Sequence, residues 1–167
     1  MNAAELSAAV ATALADAGTT MMFGVPGGGN NLDLIGAAEA AGIRFVLAHA
    51  EAPAAIMASV YGDITGTPAA CVVTRGPGAM CTVNGVANAL LERQPLVLIT
   101  DVVSRADADR IAHQRLNQSA VFAPLTKLTA VVGANDPSAL VTHAARVAMS
   151  LPRGPVHLDF DLSSSST

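Results

Sequence analysis

Residues 70–100 read ACVVTRGPGAMCTVNGVANALLERQPLVLIT. The stretch opens with an apolar run of strand length, 70–74, and turns at Gly76-Pro77-Gly78. It continues as an Ala-, Val- and Leu-rich segment over 78–91 and closes on a second apolar run, 96–100. Neither run alternates polar with apolar residues, so each reads as a strand buried on both faces, as in a parallel sheet covered by helices. A helix between two such strands is the connection parallel pairing requires.

The same alternation extends in both directions. Upstream, Asn2 and Glu5 have capping-box spacing, Leu6, Val10, Ala13, Leu14 and Ala17 follow at helical intervals, and Gly18 supplies the stop. A strand over 20–25, the loop Pro26-Gly27-Gly28-Gly29-Asn30, a helix over 31–41, a strand over 45–48 and a helix over 52–64 complete that half. Downstream, the polar segment 101–123 reads as loop with short helices, and 128–132 as a strand. Asp136-Pro137 starts a helix with Pro at its first position. Residues 155–160 form a final strand with Val156, Leu158 and Phe160 on one side. The expected fold is α/β: three layers with a doubly wound, mostly parallel sheet of about six strands. One domain spans 1–162, and the Ser-rich residues 163–167 read as a tail or the start of a linker.

Composition narrows the function. Of 167 residues, 51% are hydrophobic and 13% charged, against about 25% charged in an average soluble domain. This points to an extensively covered sheet or a large interface. No uninterrupted apolar run approaches the roughly 20 residues of a spanning helix, so no membrane insertion is expected. The net charge is −4 and no basic stripe is present, which argues against nucleic-acid binding. Cys71 and Cys81 lie apart from any C-x-x-C, and the four histidines are scattered, so no metal site is read from the chain. Two isolated cysteines suit a reducing, cytoplasmic setting.

In a doubly wound sheet, ligands collect at the carboxyl ends of the strands. The loop at Pro26, Glu51, the turn at Thr74 and the segment after Asp101 all fall there. Glu51 stands out as a lone carboxylate where a strand meets an Ala-rich helix, with Ala48, Ala50, Ala52, Ala54 and Ala55 around it in sequence. Such a group is costly to bury as an anion, and acids in apolar strand-end sites suit proton transfer. The bland alternative is a helix-start carboxylate acting as cap or dipole partner. A dinucleotide site is a second alternative, with Gly76-Pro77-Gly78 as the glycine turn and Asp101 as the ribose-binding acid. Cys81 occupies the third glycine position, and Pro77 removes an N–H from the would-be phosphate cradle.

Five motifs in order carry a resemblance: Phe23-Gly24-Val25-Pro26-Gly27, Glu51, Thr74-Arg75-Gly76-Pro77-Gly78, 95–100 (PLVLIT) and 154–159 (GPVHLD). Together they resemble the N-terminal pyrimidine-binding domain of thiamine diphosphate enzymes, nearest the acetolactate synthase and benzoylformate decarboxylase group. The resemblance implies that Glu51 hydrogen-bonds N1′ of the cofactor's aminopyrimidine and favours the tautomer that activates the thiazolium ring for attack on a 2-oxo acid. It implies cofactor contacts from Pro26, Gly27, Thr74, Gly76, Pro77, Cys81 and Gln114. Three positions depart from the family pattern: Cys81 stands where an asparagine is common, Ala50 where a histidine is, and Arg115 where an acid is. The resemblance also implies that diphosphate and Mg²⁺ are held by a further domain or subunit. The chain alone is then expected to be inactive and to work as at least a dimer, across an interface for which Ala54, Ala55, Ala58, Ala87 and Ala89 are suited by their size. A non-catalytic interaction domain that keeps the fold is the remaining alternative.

Overall fold

The computed structural model describes residues 1–104, 107–133 and 135–161. The tail read over 163–167 lies outside the described residues. Helix α1 (Ala3–Asp16) begins with the expected capping box: Glu5 N–H donates to the Asn2 side chain, and the Glu5 carboxylate accepts from Asn2 N–H. Strand β1 (Met21–Val25), helix α2 (Asn31–Ala40), strand β2 (Arg44–Leu47), helix α3 (Glu51–Thr65) and strand β3 (Ala70–Val73) follow. Next come α4 (Pro77–Cys81), α5 (Val83–Leu91), β4 (Leu96–Asp101) and α6 (Gln118–Phe122). The described chain ends with β5 (Thr129–Val132), α7 (Pro137–Met149) and β6 (Pro155–Phe160).

All six strands are parallel, in the order β2-β1-β3-β4-β6-β5. Strands β3, β4 and β6 are buried along their whole length; β3 and most of β4 are continuous apolar runs, whereas β6 also buries His157 and Asp159. Alternate residues feed two separate cores. Val97, Ile99, Val156, Leu158 and Phe160 face α1, α2 and α7, with Leu6, Leu14, Leu34 and Val141. Cys71, Val73, Leu96 and Leu98 face the other layer, with Ala54, Ala58, Val86, Ala89 and Phe122. The sheet is thus covered on both faces, as expected.

Two expectations need correction. The segment 78–91 is two helices rather than one. At Thr82 the backbone N–H donates to Ala79 O, three residues back, and the hydroxyl donates to the same carbonyl at 2.7 Å, which tightens the turn and ends α4. The alanines assigned to contact with another chain instead pack within this one. Ala54, Ala55, Ala58 and Ala89 are fully buried between α3, α5 and the sheet, and only Ala87 is partly exposed. Backbones approach so closely here that a Cβ on Gly85 would lie 2.7 Å from both the Ala52 carbonyl oxygen and the Ala55 methyl.

This contact sets the spacing of the helix that carries Glu51. Gly85→Ala is expected to lower the unfolding free energy by about 1–3 kcal/mol through overpacking, measured by urea denaturation; an unchanged midpoint would show that α3 and α5 have room to separate.

Candidate active site

The carboxyl ends of β1, β3 and β4 open onto three turns that close on one another. After β1, Asn31 staples the loop 26–30. Its Oδ1 accepts from Gly27 N–H at 3.1 Å, and its Nδ2 donates to Gly28 O at 3.2 Å and to Asp101 Oδ2 at 2.5 Å. Thr74, just past β3, donates its hydroxyl to Gly28 O at 2.6 Å. Gly27 abuts Thr74 so closely that a Cβ there would stand 2.8 Å from the threonine Cβ. Gly27 is therefore brought against Thr74, and Pro26 is half-buried at the strand end.

Gly76 is the sharpest point of the second turn. Its φ of 63° and ψ of −115° suit glycine, and a Cβ would meet the Gln114 carbonyl oxygen at 2.5 Å. Pro77 follows at the first position of α4, where its missing N–H costs nothing. Gly78 faces the other way: a Cβ on it would sit 2.6 Å from Thr74 Cγ2 and 3.6 Å from Glu51 Oε1. Glu51 is thus half-buried beside the Gly-Pro-Gly turn. The cap of α3 is Ala50, with no side-chain capping bond, so Glu51 does not serve as the cap. Its methyl surroundings are thinner than the sequence suggested, because Ala50 is exposed and Ala52 half-buried, while Ala48, Ala54 and Ala55 are buried. Beneath it lies Cys71, whose thiol is pushed up by burial and then by the Glu51 charge.

Gln114 lies in the 3₁₀ turn Ala112–Gln114, where its Oε1 accepts from Arg75 Nε at 3.0 Å. With Gly76, Pro77, Met80 and Arg115 it lines an open pocket of ≈ 190 Å³. Cys81 lies about one helical turn beyond Pro77 and is exposed. A larger, open depression of ≈ 480 Å³ beside Asp63, Arg93 and Arg153 lies at the opposite end of the sheet, away from all of these residues.

Below the turns is a buried polar cluster that sequence reasoning missed. Gly76 N–H donates to Gln118 Oε1 at 2.5 Å, and Gln118 Nε2 donates to Thr100 Oγ1, Asp101 O and Asp159 Oδ1 at 3.0, 2.9 and 2.8 Å. An unpaired Gly76 N–H would cost about 1–3 kcal/mol at this depth. Thr100 donates its one hydroxyl proton to Asp159 Oδ1 at 2.8 Å, so at the 2.8 Å contact with His157 Nε2 the histidine is the donor. Ser119 donates to Asp159 Oδ2 at 2.5 Å. Burial favours the neutral form of Asp159, but the hydrogen bonds from His157, Ser119 and Thr100 outweigh it and hold the carboxyl below its usual range.

Asp101 shows the opposite balance. It is 2% exposed, and desolvation pushes it up to about 6 despite hydrogen bonds from Asn31 and Asn30 and the charge of Arg75. A carboxylate so enclosed is not presented to a ribose, which removes the dinucleotide reading of that residue.

A sequence profile described as "Thiamine pyrophosphate enzyme, N-terminal TPP binding domain" matches residues 4–121. The chain belongs to this family. The TPP-binding domain is 36% identical over 154 residues to an acetolactate synthase of Bacillus subtilis, covering 90% of this chain and 26% of the relative. It is 36% identical over 122 residues to a 2-hydroxyacyl-CoA lyase of Oryza sativa, covering 73% and 21%. It is 31% identical over 153 residues to a probable 2-ketoarginine decarboxylase of Pseudomonas aeruginosa, covering 89% and 27%. The TPP-binding domain therefore spans about a quarter of the length of the curated relatives it matches. Among its described residues, no helix is long and apolar enough to cross a membrane.

The raised Asp101 has a defined pH signature. Its folded value, about 6, exceeds the ordinary 3.8, so the folded state binds the proton more tightly and Asp101 weakens the fold as pH rises from about 4 to 6. The stability of the wild type relative to Asp101→Asn should fall by up to about 3 kcal/mol between pH 4 and pH 7. Denaturant titrations of both proteins at the two pH values check this, and a pH-independent difference would contradict it.

Proposed function

We propose that this domain holds the aminopyrimidine half of thiamine diphosphate, with Glu51 at N1′ of the ring, in an enzyme acting on 2-oxo acids. The observation that carries the proposal is the position of Glu51 Oε1 beside Gly78, on the turn that Thr74 and Gly76 frame. Gly27, Gly76 and Gly78 let the two turns pack directly on Thr74 and the Gln114 backbone, which brings main chain rather than side chains to the surface beside Glu51 and suits a flat heterocycle. The half-buried carboxyl of Glu51 can share a proton with a ring nitrogen.

When bound, the cofactor supplies the electron sink for decarboxylation. The residues of this chain bind and orient it. Pro26, Gly27, Thr74, Gly76 and Pro77 shape the two turns, and Glu51 holds the proton at the pyrimidine. Gln114 lines the pocket next to the turn, and in this reading it faces the substrate. Cys81 and Arg115 are the substitutions that most alter this side, adding a thiol on the helix after the turn and a cation in the pocket wall.

The diphosphate and its Mg²⁺ are assigned to a partner domain, supplied by the same polypeptide or by another subunit across a dimer interface. Relatives roughly four times as long support this, because each is matched over only about a quarter of its length. The domain alone is inactive in this reading, and its setting is the reducing cytoplasm.

With a diphosphate-binding partner, thiamine diphosphate and Mg²⁺, Glu51→Gln should lower 2-oxo acid decarboxylation at least about 100-fold, the lower range for a positioned proton-transfer group, while circular dichroism stays unchanged. Full activity of Glu51→Gln, or turnover by the lone domain, would overturn the proposal.

A further inference from the structure

Gln118 is almost wholly buried, at 2% exposure, yet it takes no part in either apolar core. It lies on the short helix α6, just after the turn that carries Gln114 and far in sequence from the turns that follow β1 and β3. Asn117 caps that helix by accepting from Ala120 N–H at 3.0 Å, and Phe122 anchors it by packing its ring 4.4 Å from that of His157 on β6. The orientation of the Gln118 amide is unambiguous. Gly76 N–H can only donate, so the oxygen faces it, and the nitrogen faces three acceptors for its two protons.

We infer that Gln118 is a positioning residue for the site, tying the Gly76 amide to the ends of β4 and β6 and thereby fixing the turn against which Glu51 rests. The inference rests on the reading of the site given above. Its logic is one of valence. The junction needs an acceptor on one side and donors on the other, within one side chain. Glutamate would supply the acceptor but set a second carboxylate at the 2.8 Å contact with Asp159 Oδ1. Methionine would match the length of the glutamine but leave Gly76 N–H unpaired. Gly76 has little alternative, since the Gln114 backbone fills the space on its other side. Gly78, two residues on, lies beside Glu51 Oε1, so any rotation of the turn changes the spacing between them.

The test compares Gln118→Met with Ser119→Ala in the 167-residue chain. Both cut the same polar cluster, but the serine bonds only Asp159 in it and does not touch the turn. Two readouts are taken: hydrogen-exchange protection of the Gly76 amide by NMR, and the dissociation constant for thiamine as a pyrimidine-bearing probe. Gln118→Met should lower Gly76 protection at least tenfold and weaken thiamine at least tenfold. Ser119→Ala should leave both within about twofold, even where it lowers Tm. If Gln118→Met does not fold, Gln118→Asn, which keeps the amide but shortens its reach, replaces it. Unchanged Gly76 protection in the glutamine variant, or equal losses in the two variants, would overturn the inference. If the wild-type chain fails to bind thiamine, the cofactor reading is what falls, and Gly76 exchange still decides the role of Gln118.

Discussion

The site depends on the backbone of Gly76, which is constrained from every side. Its φ of 63° selects glycine, the Gln114 main chain occupies the space of a side chain, and its N–H is committed to Gln118. Few loop residues are determined so fully. The reason lies in the sheet: parallel strands deliver their carboxyl ends side by side, and here the segments leaving β1, β3 and β4 must pass one another within van der Waals distance. Thr74 bridges to Gly28, Asn31 to Asp101, and Arg75 to Gln114, so each turn is held by a residue of another.

The two buried carboxylates at these strand ends illustrate how little local composition decides electrostatics. Asp101 and Asp159 are 2% and 4% exposed and end or nearly end neighbouring strands. Asp159 receives hydrogen bonds from Thr100, Gln118, Ser119 and His157 and stays easily ionised; for Asp101, desolvation exceeds what Asn31, Asn30 and Arg75 return. The difference lies in the balance between desolvation and the donors and charges around each group, which no inspection of either strand in isolation supplies.

Much of the architecture was legible because it is written in local signals. Continuous apolar runs at 70–73 and 96–100 marked central strands, the Asn2–Glu5 box marked the first helix, and Asp136-Pro137 marked the start of α7, with the Asp136 side chain accepting from Ala139 N–H. The break at Thr82 was not legible, because a threonine inside a helical pattern becomes a stop only when its hydroxyl and amide both turn back on Ala79. The destination of the small residues was misread for a related reason: alanine shows that something comes close, not what. Glu51 and the two turns were singled out because they follow strands directly. Gln118 was missed although it stood in the polar segment 101–123, since its partners lie as far as 42 and 41 residues away in sequence and nothing local distinguishes it from a solvated glutamine.

The strand order carries a consequence for how the molecule assembles. β6 comes after every other strand in the chain yet lies between β4 and β5, and it brings His157 and Asp159 to the polar cluster. During synthesis on the ribosome, β5 has no neighbour to pair with and the donors beneath Gly76 have no Asp159 to receive them until that strand has emerged. Sheet completion is therefore a late, cooperative event, and a cut before residue 155 would remove the strand that joins β5 to the rest of the sheet rather than trim its edge.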